Sequence, residues 1–426
     1  MRTLVSYAGS GIFAQQIALA FLENDALGAF ATTFAYDDSN GVGWALASIQ
    51  AEFAQKIRRD LKRREISLVP MRYVKTIPFW ELVRTAFSRS GASTTLVDRI
   101  WDHMSLSFDR NVARRYVPGA EAVYAYEYTA LESLRRSRQE GGAAILDLPS
   151  LNSRAFNAIQ DAERRKHPLL QSRGDNYFRD RFERRQARRE EEVELANVIV
   201  TNSNLTRQSY LDSGVDPAKI IAVPLAAPPC IADIERDFRS DSPLRIIWAG
   251  SFSIGKGAHY FIDAWRQLDP RGQVTACIYG SYNLPMGFRA QLPEDISFQQ
   301  TIPQPRLFAE FQKADILVLP TLSDGFGMVV AEAFANGLPV ITTDRAGAVE
   351  LVRHGENGLI IPAGDPVALK EALQWCIDNR RRVHEMRFAA VATARQWQWP
   401  DYRRAFIESL GGALLRTGFK PSFAKA

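Results

Sequence analysis

Two carboxylates eight positions apart flank a glycine-rich turn in the second half of the chain. Asp324 precedes Gly325 and Gly327, and Glu332 lies on the helix predicted to follow. The glycines let the backbone approach a ligand closely, and the helix start offers N–H groups and a positive dipole end that suit a phosphate. Carboxylates repel phosphates and suit hydroxyl groups instead. A sugar nucleotide presents both kinds of group, so the pattern predicts a site for this class of ligand.

The glycines alone would also fit an ordinary strand–turn–helix unit with both acids in solvent. The acid pair at this spacing favours the ligand site. So does the segment that follows, in which Gly337 ends the helix and the buried strand LPVITT begins. The apolar strand ILVLP comes before the turn, and strands alternate with helices along this half of the chain. Such alternation predicts parallel βαβ units, which bind ligands at the carboxyl ends of their strands.

Two further loops carry residues that suit phosphates. The loop after the strand LRIIWAG contains Ser251, Lys256 and Gly257, and a lysine beside a helix start can neutralise a diphosphate leaving group. The first predicted strand, RTLVSYA, leads into Gly9, Ser10 and Gly11 before an apolar-periodic helix. Many βα turns carry glycine, so this N-terminal turn is weak evidence by itself.

The segment around Asp324 and Glu332 resembles the E-x7-E signature of the retaining glycosyltransferases of family 4, the group 1 glycosyl transferases with the GT-B fold. The resemblance extends from about Arg245 to Tyr402. The chain differs from the family pattern at Asp324, which stands where glutamate is usual. It also differs at Ser251, which stands where the family usually has an arginine.

The resemblance implies an α/β protein of GT-B architecture, with two Rossmann-like doubly wound domains facing a cleft. At 426 residues the chain has the length for two domains. We predict an acceptor-binding domain at residues 1–228 and a nucleotide-sugar-binding domain at 229–399. The last residues, 400–426, are predicted to form a helix and tail that pack back on the first domain. The mixed, charged stretch from about Pro228 to Ser242 marks the boundary.

The function implied is transfer of a sugar, with retention, from a nucleotide sugar to a sugar or lipid-linked acceptor in polysaccharide or glycolipid assembly. The resemblance implies no cofactor and no metal, since the nucleotide sugar is a co-substrate. Many family members have a histidine at the end of the strand that corresponds to AAILDLPSLNSR, which has none. Asp147 and Asn152 are the polar candidates there. His259 has no obvious partner in the sequence, and no histidine–carboxylate spacing indicates a metal site.

The candidate residues fall into two groups. The predicted catalytic residues are Asp324, Lys256, Asn152 and Asp147. The predicted donor-binding residues are Gly9, Ser10, Gly11, Ser251, Lys256, Gly257, Ile302, Asp324, Gly325, Phe326, Gly327, Met328, Val329 and Glu332. Ile302 is included because the resemblance places the nucleotide base there. Two alternatives stay open: a non-catalytic protein that binds sugar nucleotides, and another GT-B enzyme such as a sugar-nucleotide epimerase.

The basic residues are concentrated in the first half of the chain, at residues 51–66 and 164–189, and the net charge is +5. Solvated helical faces with intrahelical ion pairs are the favoured interpretation of these stretches. The alternative is a surface that binds an anionic membrane. Nucleic acid is not a predicted partner, because neither stretch contains a nucleic-acid-binding motif. The three scattered cysteines fit a reducing compartment, so we expect a cytoplasmic protein, with peripheral attachment to the inner face of the membrane as an open alternative.

Overall fold

The first half of the chain forms a seven-stranded parallel β-sheet. The computed structural model describes residues 1–36, 64–171, 175–231, 238, 242–269, 272–289 and 292–423. The strands are β1 (Thr3–Tyr7), β2 (Leu27–Thr32), β3 (Val74–Thr76), β4 (Ala122–Tyr126), β5 (Ala143–Leu148), β6 (Val198–Thr201) and β7 (Ile220–Ala222). Their order in the sheet is β3-β2-β1-β4-β5-β6-β7. The order reverses between β1 and β4, and ligands bind at such switch points in open parallel sheets.

Helices cover both faces of this sheet. They are α1 (Ile12–Glu23), α2 (Phe79–Arg89), α3 (Thr94–Arg115), α4 (Leu131–Gln139), α5 (Ser153–Lys166), α6 (Asp175–Leu195) and α7 (Asn204–Leu211), with short 3-10 turns at Met71–Tyr73 and Pro168–Leu170. Side-chain caps fix two helix starts that face the second half of the chain. Asn152 accepts N–H bonds at the start of α5, and Ser203 accepts one at the start of α7.

The second half forms a six-stranded parallel sheet in the order β12-β10-β8-β13-β14-β15, beside a two-stranded pair of β9 and β11. Its strands are β8 (Leu244–Ala249), β9 (Phe252–Ser253), β10 (Val274–Tyr279), β11 (Tyr282–Asn283), β12 (Ile296–Gln299), β13 (Ile316–Leu319), β14 (Val340–Thr343) and β15 (Gly358–Ile361). Its helices are α8 (Ala258–Leu268), α9 (Met286–Arg289), α10 (Gln304–Lys313), α11 (Met328–Ala335), α12 (Pro366–Asp378) and α13 (Arg380–Gln396), with a 3-10 turn at Gly347–Leu351.

The central strands of both sheets are buried along their whole length. Every residue of β4, β5, β13 and β14 is buried, which requires cover on both faces of each sheet. Each half is therefore a doubly wound α/β domain, and the predicted fold class is confirmed. We call them the first domain and the second domain below.

The last helix, α14 (Trp399–Arg416), returns from the second domain to the first. Phe406 is fully buried, with its ring centroid 5.7 Å from that of Phe21 on α1. Arg403 donates two hydrogen bonds to Glu23, at 2.7 and 2.8 Å, and one to Gln16 at 2.7 Å. The C-terminal helix is thereby held on the first domain by both apolar packing and an ion pair.

The structure corrects one sequence prediction and leaves others untested. Most of the basic stretch at 51–66 lies outside the described residues. The strand predicted over ISFQQTI ends at Gln299, so Ile302 lies in the loop that follows and not on a strand. The domain boundaries stay predictions. The first sheet ends at Ala222 and the second begins at Leu244, on either side of the predicted boundary. In the described part of the chain, the helices lack the combination of length and apolarity needed to cross a bilayer.

Candidate functional site

A cavity of about 330 Å³ lies between the two domains, at the carboxyl ends of strands from both sheets. The first domain contributes residues that follow β4, β5 and β6, and the second domain contributes the ends of β8 and β13 with the start of α11. The lining residues are Phe13, Tyr126, Asp147, Pro149, Val200, Thr201, Asn202, Leu225, Trp248, Ala249, Gly250, Ser251, Lys256, Leu319, Asp324, Phe326, Gly327, Met328, Val329 and Tyr402.

Lys256 and Asp324 meet in this cavity as an ion pair, the lysine Nζ donating to Asp324 Oδ2. The Lys256 side chain is 30% exposed and the Asp324 side chain is 16% exposed, so both are accessible to a ligand. Gly257 follows the lysine in a left-handed conformation, with φ of +74°, and begins α8. A Cβ at Gly257 would lie 1.9 Å from the Pro320 carbonyl oxygen, so only glycine fits there. This close contact brings the lysine loop against the end of β13.

The turn after Asp324 is fixed by the first domain. Ser203 Oγ donates to the Gly325 carbonyl oxygen at 2.5 Å, and Thr206 Oγ1 donates to the same oxygen at 3.0 Å. A Cβ at Gly325 would lie 2.4 Å from the Pro149 carbonyl oxygen, so the backbones of the two domains approach each other through this glycine. Within the second domain, the Asp324 N–H donates to the Arg345 carbonyl oxygen at 3.0 Å, so contacts from both domains position this turn.

The start of α11 faces the same cavity. Gly327 adopts φ of +87° and precedes the helix, which begins at Met328. Phe326, Gly327, Met328 and Val329 all line the cavity. The first N–H groups of a helix have no partner within the helix, and they carry the positive end of its dipole. An anion in the cavity can thus contact both these N–H groups and Lys256.

Asp147, at the end of β5, is a second carboxylate in the cavity and only 7% exposed. Burial raises its pKa from 3.8 to about 7, and the hydrogen bond donated by Tyr124 offsets part of that effect. Burial and the nearby Asp147 charge also raise the pKa of Tyr7 to about 12. Asp147 is therefore poised between its neutral and charged forms near neutral pH.

The structure places the other predicted residues around the cavity, not inside it. Gly9 and Ser10 line a separate depression with Arg64, Glu81 and Arg84, and Gly11 precedes α1. Asn152 also lies outside the cavity. Its Oδ1 accepts from the N–H groups of Arg154 and Ala155, and its Nδ2 donates to Ser213. Because both ends of its amide are already bonded, the geometry does not favour Asn152 as a catalytic residue.

Glu332 and Ile302 lie outside the cavity lining, on the side of the second domain. The Glu332 carboxylate accepts a hydrogen bond of 2.7 Å from Gln304 at the start of α10. Burial raises the pKa of Glu332, and the bond from Gln304 acts in the opposite direction. Since Ile302 is two residues before Gln304, the predicted ribose and base positions lie close together.

Sequence reasoning missed the aromatic walls of the site. Phe13, Tyr126, Trp248 and Tyr402 line the cavity, and Tyr402 comes from α14, far along the chain from the others. Gln304, the partner of Glu332, was also missed. The sequence signal for Tyr126 is its place at the end of an apolar strand, whereas nothing in the sequence brings Tyr402 to this cavity.

Residues 243–379 match the family Glycosyl transferases group 1. This segment contains the Lys256 loop, the Asp324 turn and Glu332. The resemblance inferred from the acid pair is thereby confirmed.

Curated relatives match only part of the chain. A D-inositol 3-phosphate glycosyltransferase from Nocardia farcinica is 32% identical over 123 residues, which is 29% of this chain and 27% of the relative. A D-inositol 3-phosphate glycosyltransferase from Paenarthrobacter aurescens is 27% identical over 184 residues, covering 41% and 45% of the two chains. The chain therefore matches less than half the length of these relatives.

Solved structures extend the likeness to both domains. Anabaena HepE in complex with UDP-glucose superposes with a TM-score of 0.61 at 17% identity, over 97% of this chain and 100% of that one. An α,α-trehalose-phosphate synthase (UDP-forming) from Burkholderia vietnamiensis gives a TM-score of 0.62 at 12% identity, over 99% of both chains. The predicted GT-B fold is confirmed by these full-length matches.

We predict that Asp147→Asn removes a pH dependence of stability. Because the folded pKa of about 7 lies above the ordinary 3.8, the folded protein retains a proton that the unfolded chain releases between these values. The wild-type free energy of unfolding should therefore fall as the pH rises from about 5 to about 8. Urea unfolding at several pH values measures this effect. The free energy of unfolding of Asp147→Asn should increase steadily with pH relative to that of the wild type.

The matched control for this experiment is Asp212→Asn, which changes an exposed aspartate on the same domain. The difference in free energy of unfolding between Asp212→Asn and the wild type should stay constant over the same pH range. A constant difference for Asp147→Asn as well would show that Asp147 is already charged at about pH 5 in the folded protein.

Proposed function

We propose that this protein is a retaining glycosyltransferase that moves a sugar from a nucleotide-sugar donor to an acceptor hydroxyl. The observation that carries the proposal is the Lys256–Asp324 pair beside the start of α11, inside a cavity between two doubly wound domains. This arrangement combines a cation, helix N–H groups and a carboxylate within one small volume. A diphosphate ester of a sugar is a ligand that uses all three.

The diphosphate of the donor would bind to Lys256 and the first N–H groups of α11. The lysine would then share its charge between the departing diphosphate and Asp324. Charge that develops on the leaving group is stabilised where fixed cations and dipoles already point at it. A metal ion is not needed for this step, and metal independence is part of the proposal.

The donor sugar would lie beside Asp324 and Asp147. Asp324 would accept hydrogen bonds from sugar hydroxyls, which orients the reacting carbon. Asp147 occupies the end of β5, where many family members have a histidine, and its pKa of about 7 lets it donate or accept a hydrogen bond there. A retaining reaction of this type can use the departing phosphate to accept the acceptor's proton.

The nucleoside of the donor would extend toward Glu332 and Ile302. Glu332 would hold the ribose hydroxyls, and Gln304 keeps its carboxylate in place through a 2.7 Å bond. Ile302 would pack against the base. The UDP and UDP-glucose complexes of Anabaena HepE, which shares this fold, support a donor of this class. Inositol phosphate glycosyltransferase, sucrose-phosphate synthase and trehalose-phosphate synthase relatives support sugar transfer as the reaction.

The acceptor would bind on the first domain, where aromatic rings line the cavity. Tyr7, Phe13 and Tyr126 form a cluster with ring centroids 4.7–5.7 Å apart. Aromatic faces pack well against the apolar faces of sugar rings, so a sugar or lipid-linked sugar acceptor fits this wall. We include polysaccharide or glycolipid assembly in the proposal on this basis and on the family's chemistry.

We predict that Lys256→Ala weakens binding of a nucleoside diphosphate by about 1.5–3 kcal/mol, the scale of a charge-assisted hydrogen bond. Calorimetric titration with UDP, and with other nucleoside diphosphates in parallel, measures the effect. Lys313→Ala is the matched control, because Lys313 is an exposed lysine that pairs with Glu310 on α10. Equal affinities for Lys256→Ala and wild type would remove Lys256 from the donor site.

We predict different effects for the two acids of the motif. Glu332→Ala should weaken UDP binding, since its carboxylate would hold the ribose. Asp324→Ala should leave UDP binding nearly intact and slow transfer, because its contacts orient the sugar. Asp324→Glu, which restores the usual family residue, should retain transfer. The measurements are UDP calorimetry and nucleotide-sugar turnover with and without acceptor, with the exposed Glu371→Ala as control.

The same assay separates the remaining candidate functions. Transfer by Asp324→Ala at the wild-type rate would contradict the catalytic role of the motif. UDP binding without any turnover in the wild type would instead identify a non-catalytic binding protein. Isomerisation of the donor without acceptor would identify an epimerase.

Peripheral attachment to an anionic membrane is a further part of the proposal. Many arginines in the 164–189 stretch are used inside the first domain, where Arg181 and Arg185 on α6 pair with Asp98 and Asp102 on α3. These pairs join two helices and are not the intrahelical pairs that we expected. Exposed cations remain at Arg165, Lys166, Arg179 and Arg184.

We predict that these exposed cations carry the protein to anionic vesicles at low salt. Each cation near such a surface contributes about 1 kcal/mol, and salt screens the effect. In flotation, the charge reversals Arg165→Glu and Arg184→Glu together should reduce recovery with lipid. Arg381→Glu and Arg382→Glu, which reverse two cations on the second domain, form the control pair. Absence of wild-type protein from the lipid fraction at low salt would contradict the prediction.

A further inference from the structure

Three metal-ligating side chains converge at a second contact between the domains, away from the cavity. Glu163 and His167 are four residues apart at the end of α5, so they lie on one face of the helix. His259 is in the first turn of α8, on the second domain. Each of the three offers one atom that could bind a metal, and these atoms all lie within 4.8 Å of one another. This cluster could not be recognised in the sequence, and the expectation that His259 lacks a partner was wrong.

The distances in this cluster fit ligands that share one ion. His259 Nε2 is 3.0 Å from Glu163 Oε2, and His167 Nε2 is 3.8 Å from the same oxygen. The longer distance exceeds that of a hydrogen bond. Two ligands that bind a metal at about 2.0–2.2 Å in a tetrahedral site lie about 3.4 Å apart, so both distances are close to that value.

Burial supports the same conclusion. The His259 side chain is 2% exposed, and its Nε2 atom faces the Glu163 carboxylate. His167 Nε2 is a buried atom without a hydrogen-bond partner. Buried polar atoms are usually paired, and an exception calls for an ion, a water or a ligand.

We propose that Glu163, His167 and His259 form a binding site for one divalent transition-metal ion of the zinc class. Imidazole nitrogens and a carboxylate oxygen are ligands that this class prefers. Tyr260 Oη, 2.7 Å from Glu163 Oε2, or a solvent molecule at the exposed edge of His167, completes the coordination. Lys166 donates to Tyr260 Oη at 2.7 Å, so its positive charge also lies beside the cluster.

The ion would join the two domains beside the donor site. Its ligands come from α5 of the first domain and α8 of the second, and α8 begins two residues after Lys256. An ion held from both sides favours the arrangement of domains in which Lys256 faces the cavity. The metal site is separate from the donor site, and its proposal does not depend on the proposed sugar transfer.

The test uses the full-length, untagged protein after treatment with a chelator and removal of the chelator. Calorimetric titration with Zn²⁺ should give saturable binding with a stoichiometry of one, and Zn²⁺ should raise the melting temperature. His259→Ala and Glu163→Gln should each weaken binding tenfold or more. His167→Ala provides a second variant that leaves folding intact, because His167 Nε2 makes no hydrogen bond. It should weaken binding as well.

His103→Ala is the matched control, since His103 is an exposed histidine on α3 that contacts Trp80. It should bind Zn²⁺ as the wild type does. The proposal is overturned if the wild type shows no saturable Zn²⁺ binding, or if His167→Ala binds with wild-type affinity. Equal losses in His103→Ala and His167→Ala would also overturn it, because they would indicate nonspecific binding to histidines.

Discussion

The contact between the Gly325 backbone and the first domain is the constraint on which the site depends. The Gly325 carbonyl accepts hydrogen bonds from Ser203 and Thr206, and no side chain fits between this glycine and Pro149. The two sheets are thereby brought together at their carboxyl ends. Asp324 precedes this glycine and pairs with Lys256 in the cavity, so the backbone contact between the domains lies directly beside the ion pair.

The cavity contains two carboxylates among largely apolar walls, and the protein accommodates them in different ways. Asp324 forms an ion pair with Lys256. Within the described part of the chain, Asp147 has no cation partner, and burial instead raises its pKa to about 7. An ion pair and a raised pKa thus avoid two uncompensated charges in one site. The two acids therefore offer a ligand different chemistry, a paired carboxylate and an exchangeable proton.

The sequence predicted the second domain well and the first domain less well. Around Asp324 each sequence feature has a local cause, because the strand, the turn glycines and the helix are adjacent in the chain. In the first domain, β2, β3 and α2 were not predicted, and Gly9 and Asn152 were assigned to the site from the family resemblance and their place after a strand. The structure uses Asn152 to cap α5, and capping and ligand binding draw on the same residue types.

Contacts between distant segments could not be predicted, and they complete the site. Tyr402 reaches the cavity because α14 returns to the first domain. The chain passes between the domains twice, and the two passages are joined by bonds from Ala227 N–H to the Trp397 carbonyl oxygen, at 3.1 Å, and from Trp397 Nε1 to the Pro224 carbonyl oxygen, at 3.0 Å. Trp397 lies just before α14, so the helix that carries Tyr402 to the cavity starts from this joined crossing.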